Sequence, residues 1–187
     1  AFNVREDTSI PLVKDLLSGC YDVVFCAKGN EDPDLAYVPV LTQKVVVAMS
    51  SDCPLVEKEF VTPTDLLEQH LITYVDTIPL GRAVRRMLDE CGIKNVEYSY
   101  LDESILAGFA ANGVEAAVML DTFLLRSVDD VVVRPFYPSA LDRRSCHHRV
   151  YMAYSTKNYH PYRVDHFIQH VIETKALKPD PNACYID

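Results

Sequence analysis

Apolar positions along this chain recur with two periods, every second residue in some stretches and every third or fourth in others, and the two alternate from start to finish. Residues 2–5 alternate apolar with polar and predict a strand. Ser9 then stands at an N-cap position, Pro11 is tolerated in a first turn, and Ile10, Val13, Leu16 and Leu17 form a helical stripe that Gly19 closes. The run 21–27 (YDVVFCA) is too continuously apolar for a half-exposed edge and predicts a buried parallel strand. A strand at 44–50 and a turn-rich stretch at 51–55 follow. Thr62-Pro63-Thr64-Asp65 has the form of a capping box, with Thr62 at N-cap, Pro63 at N1 and Asp65 at N3, and opens a short helix through about Gln69. After a strand at 71–75, the residues Leu80, Val84, Met87, Leu88 and Cys91 fall at i, i+4, i+7, i+8 and i+11, and Gly92 ends the pattern. A strand at 96–101 leads to Asp102, which caps a helix carrying Ile105, Leu106 and Phe109 that stops at Asn112-Gly113. Strands at 114–120, 131–136 and 149–155, a short helix at 123–128 and a closing helix at 160–174 complete the pattern. Residues 175–187, with two prolines and little periodicity, predict a loosely attached tail.

Strands that alternate with helices specify an α/β architecture built on a parallel sheet, with a lobe boundary near 50–54 and a return crossing near 134–138. Composition narrows this further. The 187 residues are 49% hydrophobic and 24% charged, enough apolar material for a sizeable core and too much for a disordered chain. Val45-Val46-Val47-Ala48-Met49 is the longest apolar run and has the length of a strand, so no membrane span is expected. Eighteen Lys+Arg against 27 Asp+Glu give a formal charge of −9, which repels phosphate backbones and argues against a nucleic-acid surface on this chain. The six cysteines show no C-x-x-C pair, and the first residues show no basic region followed by an apolar one; reduced thiols and a cytoplasmic location are expected.

No glycine-rich nucleotide loop, phosphate loop, H-E-x-x-H or G-x-S-x-G motif is present, so neither a catalytic residue nor a cofactor is expected. His166, His170 and Glu173 have the spacing of ligands on one helix face, but they also fit a solvated face opposite Phe167, Ile168, Val171 and Ile172. Cys146-His147-His148 would point alternately to opposite faces of a strand, so no metal is expected there either. Arg143, Arg144 and Arg149 form a basic cluster that reads as a solvated loop and strand edge, and Arg82, Arg85 and Arg86 read as the wet face of their helix. The turns 6–9, 76–81 and 101–104 carry more promise. In open α/β sheets ligands gather where strands end and helices begin, and helix N-termini favour anions.

Taken in order, several segments resemble the effector-binding domain of the LysR-type bacterial transcriptional regulators over about residues 2–173. They are Leu16-Leu17-Ser18-Gly19-Cys20-Tyr21-Asp22-Val23-Val24-Phe25, Val38-Pro39-Val40-Leu41 with 45–50, Asp52-Cys53-Pro54-Leu55-Val56, Asp65-Leu66-Leu67 with Leu71-Ile72, and residues 110–118. Cys53, Glu115 and Leu120-Asp121 depart from the family pattern of His, Gly and Pro. The resemblance implies two Rossmann-like lobes joined by a hinge, of the type II periplasmic-binding-protein kind. Residues 1–50 and 137–174 would form lobe one, 51–136 lobe two and 175–187 a tail. A small effector, an organic anion or metabolite, would lie between the lobes against Thr8, Ser9, Lys28, Tyr74, Asp76, Thr77, Pro79, Leu80, Asp102 and Ser104. The resemblance further implies a fragment lacking both the first strand and helix of lobe one and the helix-turn-helix domain that contacts DNA, from a regulator that is a homo-oligomer at full length. An extracytoplasmic solute-binding protein shares this architecture and is the alternative; an α/β enzyme is a third.

Overall fold

The computed structural model describes residues 3–29, 31–113, 115–139, 141, 144–178 and 183–186. The chain forms two compact units, Ala1–Thr42 with Arg149–Asp180, and Gln43–His148 with Pro181–Asp187. It passes from one unit to the other within two continuous strands, β2 (Leu35–Ser50) and β7 (Cys146–Ser155). These divisions differ from the 50/51 and 136/137 read from the sequence, because uninterrupted strands carry no turn residue at which a boundary could show.

In the first unit α1 (Ser9–Leu17) packs on β1 (Val23–Cys26). Leu16, Val24, Cys26, Leu35 and Ala153 form the buried cluster, with Leu12, Val13, Tyr21 and Tyr37 around it. The helix closes at Gly19, whose φ of 79° is the left-handed conformation that glycine adopts without strain. No strand forms over residues 3–8; a four-residue alternation is a strand only where a ladder partner exists. β1 runs antiparallel to β7, Val23 opposite Tyr154 and Cys26 opposite Tyr151, not parallel as its apolar run suggests. The second face of β1 is covered only in part, since Val23 packs against the Met152 cluster while Phe25 is 49% exposed, so the run is apolar without being fully buried on both sides. On another side of this unit Ile168 and Val171 of α5 (Tyr162–Lys175) pack with Met152.

The second unit is built on the strand order β6-β2-β5-β3-β4, with β3 Leu71–Tyr74, β4 Val96–Tyr100, β5 Ala116–Leu120 and β6 Val131–Pro135. β3 pairs parallel with both β4 and β5, while β2 is antiparallel to β5 and β6. Every residue of β3 and β5 is buried, as expected of central strands covered on both faces. α3 (Pro79–Glu90) contributes Val84, Met87 and Leu88 to the core, and α4 (Glu103–Ala111) contributes Leu106, Ala107 and Ala110. Burial of such aliphatic side chains stabilises by about 1.5–3 kcal/mol each. The Thr73 hydroxyl, buried in the sheet, donates to the Val118 carbonyl at 2.6 Å. Thr62 and Asp65 form the expected capping box over α2 (Pro63–Leu66). Of the terminal segment 175–187, the described residues 184–186 are held against the second unit. β8 (Cys184–Tyr185) pairs parallel with the start of β7, Ile186 is buried, and its carbonyl accepts from Arg86 at 3.2 Å.

Candidate functional site

Because β3, β4 and β5 are parallel, their carboxyl ends lie on one edge of the second unit's sheet, where the chain turns into α3, α4 and the 3-10 turn Phe123–Ser127. The β3–α3 loop is held tightly against the helix: a Cβ at Gly81 would collide with the Val75 carbonyl, so only glycine fits. Ile78 occupies the N-cap of α3 without a side-chain acceptor, and the first turn contains Pro79 and no acid. Its free N–H groups therefore keep their partial positive charge. α4 differs. Asp102 Oδ1 accepts from the Ser104 N–H at 2.6 Å, and hydrogen bonds from Ser104 hold the Asp102 carboxyl below its ordinary range.

The predicted residues of this unit fall into three groups. Thr77 is exposed beside the uncapped α3 start, with Pro79 and Leu80 in the first turn itself. Asp76 is already ion-paired with Arg85, and Asp102 with Ser104 serves the α4 cap. Tyr74 belongs to the framework: its buried hydroxyl donates to Glu103 Oε1 at 3.1 Å and accepts from the Leu120 N–H at 3.0 Å. Burial, then the neighbouring Glu103 charge, pushes its phenol well above the usual tyrosine range. One side chain on this edge escaped sequence reading. Thr122, just past β5, has a buried hydroxyl without a hydrogen-bond partner. The topology could have indicated it, since β5 is the third parallel strand to end there.

In the first unit α1 starts as α3 does. Thr8 at the N-cap is exposed, makes no side-chain cap and is followed by no acid in the first turn. Ser9 begins the helix rather than capping it, and its hydroxyl accepts from the Ala27 N–H at 3.1 Å, which brings the start of α1 beside the residue preceding Lys28. Lys28 is paired with Glu31 at 2.8 Å, which holds the Glu31 carboxyl down, and lies 5.7 Å from the centre of the Tyr37 ring. Lys28, Glu31, Asp32, Pro33, Leu35 and Tyr37 line a concavity of about 410 Å³. The Tyr37 hydroxyl is buried there without a hydrogen-bond partner, and nothing in its sequence neighbourhood marks it.

The other sequence candidates lead elsewhere. Arg82, Arg85 and Arg86 lie on the exposed face of their helix, as expected, and also bond there to the Thr77 carbonyl, to Asp76 and to the Ile186 carbonyl. His166 is exposed and stacks on Tyr162; Arg143 lies outside the described residues. Among the described residues His70, Glu97 and Glu115 could hold a cation, with ligand atoms within 4.8 Å of one another. They sit at the amino ends of the parallel strands, away from the helix starts, and His70 and Glu115 already hydrogen-bond at 2.7 Å.

The family model of the LysR substrate binding domain matches residues 1–176. In structure the chain is similar to the effector-binding domain of QuiR in complex with shikimate, with a TM-score of 0.79 at 17% identity over 90% of this chain and 78% of that one. The BenM effector-binding domain with its effector benzoate gives 0.73 at 14% identity, covering 96% and 82%. Full-length CbnR complexed with its target DNA gives 0.73 at 13% identity, covering 89% of this chain and 57% of CbnR. No curated protein matches the sequence.

Proposed function

This chain belongs to the LysR substrate-binding domain family, and from that premise we propose that it binds a small organic anion as the sensing part of a transcriptional regulator. Its fold is the α/β, type II periplasmic-binding-protein architecture of that family. The observation that carries the anion reading is the start of α3. A helix begins uncapped and without acid at the carboxyl end of a parallel strand, on the same sheet edge as the unpartnered hydroxyl of Thr122. Within the second unit the ligand contacts are Thr77, Pro79, Leu80 and Thr122; within the first unit Thr8, Ser9, Lys28 and Tyr37 flank the start of α1. Tyr74, Asp76, Asp102 and Ser104 hold the loops in place. An effector acts by binding one conformation better than another, and it can shift the equilibrium only by that difference in affinity.

Contact with DNA, by this reading, falls to the portion of the regulator outside the 57% of CbnR that this chain spans, and the full-length regulator is a homo-oligomer. Among the described residues no helix is long and apolar enough to cross a membrane; on the family match to transcriptional regulators we place the regulator in the cytoplasm. The family is one of transcriptional regulators, which are not enzymes, and the family match favours this reading over a solute-binding protein of a transport system.

A thermal-shift series with shikimate, benzoate, other small carboxylates and matched neutral or cationic analogues tests the proposal. At least one carboxylate is expected to raise the melting temperature saturably; a ligand at 100 times its Kd adds about 2.7 kcal/mol. Stabilisation by cations alone, or by none of the set, overturns the anion reading.

A further inference from the structure

Cys146 opens β7 and Cys184 opens β8, and the parallel register sets the two residues opposite each other within the same compact unit. Both are free thiols, and their Sγ atoms are 2.7 Å apart. Adjacent strands lie about 4.7–4.9 Å apart, inside the Cα separation of about 4.4–6.8 Å that a disulfide spans, so side-chain rotation alone can join them. A third thiol, Cys91, lies near both but has no register partner among them. Cys91 turns its thiol to the Pro138 carbonyl at 3.9 Å, Cys26 is buried in the first unit, and the Cys20 sulfur accepts from the Ser18 hydroxyl.

We propose that Cys146 and Cys184 are a reversible redox pair, converted by a hydroperoxide into a disulfide that fastens the terminal segment to β7. The partly exposed Cys184 meets the oxidant. Its thiolate sulfur attacks one peroxide oxygen, the O–O bond breaks, and the departing oxygen leaves as water after taking a proton. The sulfur is left as a sulfenic acid. Cys146, 1% exposed, is the resolving partner: its sulfur displaces the hydroxyl from the Cys184 sulfur, the S–S bond forms, and the thiol proton leaves with the hydroxide as a second water. Two thiols and one hydrogen peroxide thus give one disulfide and two waters, and a dithiol reductant returns both thiols. The division of roles agrees with the environment, since burial pushes the Cys146 thiol up and makes it the poorer first nucleophile. A disulfide of this kind in a reducing compartment is a sensing device, not a structural staple.

The test treats the whole chain with hydrogen peroxide, denatures it in acid, alkylates the remaining thiols and maps the peptides by mass spectrometry. The expected product joins the Cys146 and Cys184 peptides, leaves Cys20, Cys26, Cys53 and Cys91 alkylated, and disappears with dithiothreitol. The oxidised protein should melt at a higher temperature than the reduced one, and Cys184→Ser should lose that difference while keeping the far-ultraviolet circular dichroism of the parent. Alkylation of both Cys146 and Cys184 after oxidation overturns the proposal, as does a Cys91–Cys184 link as the main product. Because the mapping uses the unmodified chain, a variant that fails to fold leaves the result decisive.

Discussion

The Tyr74 hydroxyl ties α4 to the end of β5 by donating to Glu103 and accepting from the Leu120 N–H. At the end of β3, in the loop region where the resemblance expects a ligand contact, it is thus fully engaged inside the protein. Tyr74→Phe would leave the buried Leu120 N–H without an acceptor, at a cost of about 1–3 kcal/mol. The loss is measurable as a lower urea midpoint with unchanged slope. Burial and Glu103 raise the folded phenol above its unfolded value of about 10. The stability it contributes is therefore fully present below that value and is lost as pH rises through the folded one. Urea midpoints measured from about pH 8 to 11 should fall at the alkaline end for the parent and less for Tyr74→Phe; parallel curves would show that another group sets the alkaline limit. Thr122 and Tyr37 show why such details stay hidden in a sequence. Whether a hydroxyl is satisfied depends on neighbours distant along the chain, which composition and periodicity do not contain.

At the scale of elements, local signals read well and pairing signals did not. The apolar stripe from Leu80 to Leu88, the Asp102 cap and the Thr62/Asp65 capping box all lie within a few residues of the helices they define, and each is present in the structure. Strand direction is non-local: the apolar run around Val24 predicted a parallel neighbour, yet its partner is the returning β7. The two residues of β8 have no pattern at all and form a strand only because the start of β7 offers its edge. Gly81 joins the two kinds of signal, since the sequence places it at the end of the turn 76–81 where a helix begins, and the structure supplies the reason for a glycine there in the Val75 carbonyl. Gly81→Ala should accordingly destabilise, against the usual gain from alanine in a helix, by about 1–3 kcal/mol as the loop is forced away. A melting temperature equal to or above the parent's would mean that the β3–α3 loop yields freely. It would also weaken the placement of Thr77 beside the helix start.

For the molecule as a whole, order and spacing of weak segments carried more than any single motif. Leu16 to Phe25, Val38 to Leu41 and Asp52 to Val56 are unremarkable one at a time, and their succession pointed to the family that the match over residues 1–176 establishes. The division into units was less legible, since it falls inside the continuous strands β2 and β7, at Thr42-Gln43 and His148-Arg149, where polar residues occur without a turn to mark a boundary. Charge, by contrast, is a whole-chain property that a sequence states directly. Affinity for duplex DNA grows with the number of phosphates neutralised by Lys and Arg, and a chain at −9 whose arginines at 82, 85 and 86 are spent on internal partners has few cations to offer. Fluorescence anisotropy of a labelled duplex titrated with this chain at about 50 mM salt, where phosphate contacts are strongest, should stay flat with and without carboxylate. Binding that weakens as salt rises would instead reveal a basic surface on this chain. It would move DNA contact out of the rest of the regulator and into the sensing part itself.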